Sequence, residues 1–210
     1  MRIAVLGTGM VGPTLAGRLG ELGHEVVVGT RDPEATRSRG YDHDTPLATY
    51  ADAAAQAEVV VNATNGAVTL EVLRQAGAEN LAGKVLLDLA NPLDGSQGFP
   101  PTLLVKDTDS LGEQVQREFP QARVVKSLNT LTVGLMAHPE SLGEPTTTFV
   151  SGDDQEAKQV VVSLLEELGH RDVIDLGDIT TARGVEMWMP LGLRTMQALG
   201  TAQFNLRIVR

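Results

Sequence analysis

The residues with the clearest chemical meaning in this sequence are three glycines at the spacing G-x-G-x-x-G, namely Gly7, Gly9 and Gly12. They follow an apolar run and precede an amphipathic segment, as in dinucleotide-binding βα units. In such units the first glycine permits a tight turn, the second lets the backbone approach a pyrophosphate, and the third lets helix and strand pack closely. The helix N-terminus adds free N–H groups and a partial positive charge. The stretch 7–12 therefore predicts a pyrophosphate-binding turn.

The end of the second apolar run indicates which dinucleotide is bound. An NAD-binding unit usually carries Asp or Glu there to hold the ribose 2′-hydroxyl, whereas this chain has Thr30 and Arg31. A hydroxyl and a planar guanidinium suit a 2′-phosphate. The following Asp32-Pro33 pair is typical of the N-cap and first residue of a helix. We therefore predict NADP, with NAD as the alternative if Asp32 takes the place of the acid.

Groups that could deliver a proton are scarce. Lys126 at a strand end and His138 in a Met-Ala-His-Pro stretch are the candidates. A lysine so placed usually keeps its charge in water at the surface, and we expect the histidine to lie in a loop. Hydride transfer between two ring cofactors needs positioning and exclusion of water, whereas reduction of a carbonyl or imine needs a proton donor. The lack of an acid–base pair favours transfer between two cofactors.

Short β-branched runs alternate with Ala- and Leu-rich segments, which predicts repeated βαβ units. We expect an α/β fold of the Rossmann type, with a doubly wound, mainly parallel sheet and a small C-terminal helical lobe. The NADP-binding domain would span 1–177, and the lobe over 178–210 would serve as a lid or dimerisation element. Strands are predicted at 2–7, 25–30, 58–64, 84–90, 123–128, 146–152, 172–177 and 204–209, helices at about 10–22, 47–56, 67–77, 110–118, 154–168 and 181–199, and a loop at 91–101.

Composition excludes several classes of function. The chain has 210 residues, a net charge of -10, no cysteine and 3% aromatic residues. Such an acidic protein suits neither nucleic acid nor an anionic membrane surface, and it has no disulfide or thiolate chemistry. The histidines are too scattered to predict a metal site. Because no long apolar run or targeting segment is visible, we expect a cytoplasmic protein.

The C-terminal segment is rich in methionine and locally basic. Its apolar side chains could wall a flat acceptor pocket, or form a core or dimer seam. They are Met187, Trp188, Met189, Leu191, Leu193 and Met196. An exposed helix this apolar would be a liability for a monomer, so we expect a homodimer. Arg194 in the same segment could attract an anionic group of the acceptor.

Longer motifs resemble a known family. The stretch "GTGMVGPTLAGRLGELGHEVVVGTRDPE", with "DLANP" (88–92), "VVKSLNT" (124–130), "FVSGDD" (149–154) and the C-terminal segment, is similar to the bacterial dinucleotide-binding enzymes related to F420-dependent NADP reductase. The cytosolic domain of the six-transmembrane ferric reductases shares these motifs. The resemblance extends over essentially the whole chain.

This resemblance implies roles for particular residues. It implies that Thr8, Met10 and Val11 bind NADPH together with Thr30 and Arg31. It places Thr64, Asn91 and Pro92 around the nicotinamide end of the cofactor, and Asn129 and Thr130 at the hydride-transfer cleft as the candidate catalytic residues. In F420 reductases the C-terminal lobe closes that cleft over the deazaflavin ring, and the protein is a homodimer.

Three functions remain open at this point. The first is hydride transfer between NADPH and a small-molecule redox co-substrate, either coenzyme F420 or a flavin. Coenzyme F420 has an acidic tail, and the candidate landing sites for it are Arg183, Arg194, Arg207 and Lys126. The sequence Lys-Ser-Leu-Asn-Thr after the fifth strand departs from the pattern of deazaflavin users, so the acceptor stays open. The second is NADPH-dependent reduction of a small carbonyl or imine. The third is binding of NADP(H) without catalysis.

Overall fold

The computed structural model describes every residue from Met1 to Arg210. Strands and helices alternate along most of the chain. In chain order they are β1 (Arg2–Leu6), α1 (Val11–Glu21), β2 (Glu25–Thr30), α2 (Pro33–Ser38), β3 (Leu47–Thr49), α3 (Tyr50–Gln56), β4 (Val59–Asn62), α4 (Thr69–Ala76), α5 (Ala78–Leu81), β5 (Val85–Asp88), β6 (Leu93–Asp94), β7 (Thr102–Leu103), α6 (Leu111–Glu118), β8 (Arg123–Ser127), α7 (Val133–Ala137), β9 (Thr147–Ser151), α8 (Gln155–Leu168), β10 (Asp172–Asp175) and α9 (Ala182–Leu199), with short 3₁₀ segments at Gly66–Val68, Pro139–Leu142 and Ile179–Thr181.

Eight strands form one central sheet in the order β10-β9-β8-β5-β4-β1-β2-β3. Neighbouring strands are parallel except for β8 and β9, which are antiparallel. The chain runs outward from β1 through β2 to β3, then returns to β4 on the other side of β1. The predicted Rossmann-type, doubly wound and mainly parallel sheet is therefore confirmed. In such sheets a ligand binds at the carboxyl ends of the strands, where the strand order reverses.

Helices cover both faces of the sheet, which explains why its strands are continuously apolar. In β1, Ile3 and Val5 pack into an apolar cluster on one face, whereas Ala4 and Leu6 pack into a second cluster on the other. Both clusters are buried, so each residue of β1 after the first contributes to a core. Because β1 is packed on both faces, its position is fixed, and so is the start of the glycine turn that follows it.

Side-chain caps set several helix boundaries as predicted. Asp32 accepts a 2.9 Å hydrogen bond from the backbone N–H of Ala35, with Pro33 as the first residue of α2. Asp154 caps α8 in the same way, and Gly169 ends that helix with a φ of 104°. A left-handed C-cap of this kind is easiest for glycine, which has no Cβ.

Three predicted segments are wrong in detail. Residues 47–49 form the edge strand β3 instead of the first turn of a helix, because Thr49 caps α3 by accepting from the N–H of Asp52. The predicted loop at 91–101 contains β6, which pairs with β7 as a short antiparallel ladder. Residues 204–209 run beside the start of β9 but form no strand. Only one bond there joins two backbone groups, from the Thr147 N–H to the Leu206 carbonyl, and the bonds of Asn205 and Ile208 to Thr147 each involve a side chain.

The C-terminal helix α9 packs by its first turns against α6. A Cβ on Gly112 of α6 would lie 3.1 Å from the Cβ of Ala182, so the two helices approach closely there. Val185 and Glu186 are buried in the same region, whereas Leu191 further along is 59% exposed. The N-terminal part of α9 therefore belongs to the packed body of the protein, beside the carboxyl end of β8.

Candidate functional site

The glycine turn joins β1 to α1 with the geometry that its spacing predicts. Gly7 has a φ of 120°, and a Cβ there would lie 2.7 Å from the carbonyl oxygen of Ala63. A Cβ on Gly12 would lie 2.0 Å from the carbonyl oxygen of Gly7, so α1 packs directly on the turn. At Gly9, by contrast, no atom lies within 4 Å of the Cβ position. The backbone at Gly9 is therefore open to an approaching group.

The N-terminus of α1 has no side-chain cap. Met10 occupies the N-cap position, makes no capping hydrogen bond and is 81% exposed. Thr8 and Val11 beside it are half-buried, and Pro13 has no N–H to leave unpaired. Uncapped N–H groups at a helix N-terminus, next to a backbone open at Gly9, form an anion site. These residues fit the pyrophosphate of a dinucleotide.

The predicted phosphate-binding pair ends β2 beside this turn, but its two side chains differ in exposure. Thr30 is 4% exposed, and its hydroxyl lies 2.8 Å from the hydroxyl of Thr36. The Arg31 side chain is 73% exposed, with its guanidinium 3.8 Å from the carboxylate of Glu71. Arg31 is thus the member of the pair that can reach a phosphate directly, because the Thr30 hydroxyl is turned inward.

A second guanidinium, which the sequence analysis missed, lies near the same position. Arg39 donates a 3.4 Å hydrogen bond to the Thr36 hydroxyl, the group that also contacts Thr30. Asp32 is engaged as the cap of α2, so it does not take the place of the NAD-binding acid. No sequence motif predicts that the residue nine positions after Thr30 lies beside it. The folding of α2 against β2 brings Arg39 there.

The residues predicted at the nicotinamide end and at the hydride-transfer cleft follow three strands, and two of them bond to each other. Asn91 donates to the carbonyl of Asn129 at 2.8 Å, and the Asn129 amide donates back to the Asn91 side-chain oxygen at 2.9 Å. Thr64 donates to the side-chain oxygen of Asn62 at 2.6 Å. The Thr64 methyl group also lies 3.4 Å from the Cβ position of Gly7, so this residue adjoins the glycine turn.

The other two residues predicted here are less engaged. Pro92 is buried behind Asn91, and Thr130 is half-buried after Asn129, with no side-chain hydrogen bond assigned to it. Between β8 and Asn129, Leu128 has a φ of 59°. This left-handed conformation is unfavourable for a bulky residue and is often found at functional sites. It turns the chain so that the Asn129 side chain crosses to Asn91.

The expectation that Lys126 lies at the surface is wrong. Its side chain is completely buried, and its ammonium lies 2.8 Å from the carboxylate of Asp88 and 2.8 Å from that of Glu186. It also donates to the carbonyl of Ala90. Burial by itself would lower the pKa of Lys126, but the two carboxylates outweigh burial and raise that pKa. With three partners for its three N–H groups, the ammonium has none left for a substrate.

Asp88 and Glu186 were missed by the sequence analysis. Glu186 accepts hydrogen bonds from the backbone N–H groups of Leu111 at 2.8 Å and Gly112 at 3.0 Å. These are the first amides of α6, where a carboxylate is favoured by the helix dipole. Asp88 was visible only as the acid in the DLANP motif, and Glu186 as an acid in an apolar helix. Neither sequence feature indicates that Asp88 and Glu186 both bond to Lys126.

The basic residues proposed as landing sites are mostly paired with carboxylates. Arg183 donates to Glu113 at 2.8 Å, and this hydrogen bond holds the pKa of Glu113 below its usual range. Arg207 pairs with Glu144 at 2.9 Å. Arg194 is exposed and contacts only the side-chain amide of Gln197, at 3.4 Å. Arg194 is therefore the member of the set with an unneutralised charge.

His138 occupies the C-cap position of α7 and the N-cap position of the next 3₁₀ segment, and its side chain makes no capping hydrogen bond there. Its side chain is 48% exposed, and its ring nitrogen lies 3.3 Å from the carboxylate of Glu140. No group of three or more His, Cys, Asp or Glu side chains is arranged to hold a metal ion. No helix is long and apolar enough to cross a membrane.

The fold and the site together define a dinucleotide-binding protein of the Rossmann type. Comparison with known proteins gives its family. Residues 2–92 match the family described as NADP oxidoreductase, coenzyme F420-dependent. The chain is 30% identical to the F420-dependent NADP reductase of Methanocaldococcus jannaschii, over 91% of this chain and 90% of that protein. The chain belongs to the F420-dependent NADP reductase family and is an NADP-dependent oxidoreductase.

Two further proteins, one very similar and one more distant, also match this chain. A candidate F420-dependent NADP reductase from Arthrobacter sp. FB24 has a crystal structure that matches with a TM-score of 0.98 and 58% identity, covering 100% of both chains. The metalloreductase STEAP3 of Rattus norvegicus is 29% identical over 91% of this chain, which corresponds to 37% of that protein. The predicted resemblance to the F420-dependent NADP reductases is confirmed, and the chain spans about a third of the length of the metalloreductase that it matches.

Proposed function

We propose that this protein transfers hydride between NADPH and coenzyme F420. The observation that carries the proposal is the state of Lys126, whose ammonium is buried and bonded to Asp88, Glu186 and the Ala90 carbonyl. A lysine held in this way has no N–H left to protonate a carbonyl or imine. This removes one of the two donors expected from the sequence and favours an acceptor that needs no proton from the protein. The relatives named F420-dependent NADP reductase support a deazaflavin as that acceptor.

The chain's own residues would bind and orient the nucleotide. The turn at Gly9 and the uncapped start of α1 receive the pyrophosphate, and Arg31 and Arg39 receive the 2′-phosphate. Asn91 and Asn129, which hold each other across the cleft, orient the nicotinamide. When bound, NADPH supplies a hydride from C4 of its ring, and the deazaflavin takes that hydride together with one proton from solvent.

Arg194 supports the same acceptor by its charge. Coenzyme F420 carries an acidic tail, and a protein with a net charge of -10 needs a local positive group to receive it. Arg183 and Arg207 are already neutralised by carboxylates, whereas Arg194 on α9 has none. We therefore assign Arg194 to the acidic tail of the acceptor.

The proposal is tested by mixing the purified protein with NADPH and oxidised coenzyme F420 and following the absorbance of the oxidised deazaflavin. We expect that absorbance to disappear with NADPH and to persist with NADH. Parallel reactions use FMN and FAD in place of F420. Turnover with a flavin alone would identify a flavin reductase, and tight NADPH binding without turnover would identify a non-catalytic binding protein. Either result overturns the proposed acceptor.

A further inference from the structure

We infer that Lys126, Asp88 and Glu186 are positioning residues, which hold the side chains at the nicotinamide end and the helix α9 in one arrangement. This inference rests on the NADPH site proposed above, but not on the identity of the acceptor. None of the three residues is exposed to the cleft as a reacting group, since their side chains are 0%, 0% and 2% exposed. These three residues would affect nucleotide binding only through the side chains at the nicotinamide end that they hold in position.

Stability alone is a weak reason for such an arrangement. Removing three charges from water is costly, and buried ion clusters can often be replaced by apolar residues without loss of stability. The position of Lys126 at the carboxyl end of β8, beside Asp88 at the carboxyl end of β5, is where the sheet binds ligands. A buried charged cluster at this edge is therefore better explained by the precise arrangement that it imposes on its neighbours.

One chain of hydrogen bonds leads from Lys126 to Thr64. Asp88 accepts from the ammonium of Lys126 at 2.8 Å and from the amide of Asn62 at 2.7 Å. The side-chain oxygen of Asn62 then accepts from the Thr64 hydroxyl at 2.6 Å. Because every link is buried or half-buried, the position of Thr64 depends on the charge state and place of Lys126.

A second connection leads from Lys126 to the two asparagines. The ammonium holds the carbonyl of Ala90, the residue directly before Asn91. Asn91 and Asn129 bond to each other, and the Asn129 amide also donates to the carbonyl of Val185 at 3.1 Å. The unfavourable φ of Leu128, at 59°, is what directs Asn129 into this arrangement. A strained residue persists only where its surroundings hold it.

Two contacts join this network to the same turn of α9. Val185 receives Asn129, and its neighbour Glu186 receives Lys126 at 2.8 Å together with the first amides of α6. The helix that would close over the acceptor is therefore attached to the sheet at two adjacent residues, through the same network that holds the nicotinamide-end side chains. Displacement of α9 and displacement of those side chains are coupled.

The test compares two nucleotides on two lysine variants. 2′,5′-ADP carries the adenosine phosphates but no nicotinamide, so it reports on the glycine turn, Arg31 and Arg39 and not on the nicotinamide end. Lys126→Met removes the ammonium at the network. Lys158→Met is the matched control, because Lys158 is also buried and bonded, to Asp175 at 2.9 Å and to the Gly177 carbonyl, but on α8 and away from the asparagines.

By calorimetry, we expect Lys126→Met to weaken NADPH binding at least tenfold while the affinity for 2′,5′-ADP stays within twofold. Lys158→Met should change neither affinity. A second readout is the emission of Trp188, the single tryptophan, which lies on α9 two residues after Glu186. Without nucleotide, its emission should shift to the red in Lys126→Met and stay unchanged in Lys158→Met.

Lys126→Met leaves two buried carboxylates uncompensated, which could prevent folding. A triple variant, Asp88→Asn with Lys126→Met and Glu186→Gln, removes all three charges and should fold while retaining the selective loss of NADPH affinity. Equal losses for NADPH and 2′,5′-ADP, or unchanged NADPH binding in the triple variant, would overturn the positioning role. If the unmodified protein bound neither nucleotide, the proposed function would fail and this role with it. If the protein oxidised NADPH with an acceptor other than F420, the proposed acceptor would be wrong but the positioning role would still hold.

Discussion

Gly9 offers a way to separate nucleotide binding from stability. The Cβ position at Gly9 meets no atom within 4 Å, and its φ is not positive. The folded protein can therefore accept Gly9→Ala without strain. A glycine replaced by alanine at a compatible conformation stabilises a protein by about 0.4–1 kcal/mol, because the unfolded chain loses freedom. We expect the melting temperature to stay the same or to rise slightly.

The same methyl group would occupy the space through which a pyrophosphate approaches the backbone. Losing one hydrogen bond to a charged group costs about 1.5–3 kcal/mol, which corresponds to roughly 10- to 150-fold in affinity. Isothermal titration calorimetry with NADPH measures this loss, and thermal unfolding by circular dichroism measures stability. Affinity that is unchanged in Gly9→Ala would refute the assignment of the pyrophosphate to this turn.

Two other glycines provide the controls. Gly12→Ala should lower stability, by about 1–3 kcal/mol as for overpacked sites, because its Cβ would lie 2.0 Å from the backbone oxygen of Gly7. Gly17 lies on the exposed side of α1, and no atom lies within 4 Å of its Cβ position, so Gly17→Ala is the second control. It should stabilise the helix by about 0.5–1 kcal/mol and leave NADPH binding unchanged. A fall in stability for Gly9→Ala comparable to that of Gly12→Ala would contradict the open geometry.

Three further outcomes follow from the structure. Arg31→Ala and Arg39→Ala should each weaken NADPH by about 1–3 kcal/mol and leave NADH nearly unchanged in calorimetry; equal losses for both nucleotides would count against a 2′-phosphate site. Burial lowers the pKa of His170 below its usual 6.5, so the unfolded chain binds more protons there and stability should fall as the pH drops from 7 to 5. His170→Gln should flatten that slope of melting temperature against pH, and parallel slopes would exclude this residue as the cause. Gly66→Ala places a Cβ 2.0 Å from the carbonyl oxygen of Asn91. It should therefore reduce the affinity for NADPH more than the affinity for 2′,5′-ADP. Equal losses of both affinities would show that this contact does not position the nicotinamide end.

Much of the fold was predictable because its signals are local. The continuous apolar runs predicted seven of the strands, since helices on both faces of a parallel sheet demand them. The caps at Asp32 and Asp154 were predicted from residue types that bond to nearby backbone N–H groups. Of the three wrong segments, 47–49 forms the edge strand β3, 91–101 contains one strand of the β6–β7 ladder, and 204–209 bonds to β9 mainly through side chains. Each outcome depends on which distant segment lies alongside, and a local pattern does not contain that information.

The candidate site divides in the same way. The glycine turn and the Thr30-Arg31 pair lie within single βα units, where spacing along the chain determines position in space. Arg39 reaches the same place only because α2 folds back on β2 and brings it to Thr36. Arg183 looked available for an acidic acceptor, yet a residue of α6, Glu113, neutralises it.

By itself, the sequence determined that this chain builds a Rossmann-type sheet with a dinucleotide turn, because periodicity and glycine spacing act over a few neighbouring residues. Only the tertiary structure decided that Lys126 is buried between Asp88 and Glu186 instead of lying in water. The reason is that burial and charge pairing depend on side chains from β5, β8 and α9 that meet only after the chain has folded. Those contacts, and not the residue type, decide that Lys126 is held and has no proton to donate to a substrate.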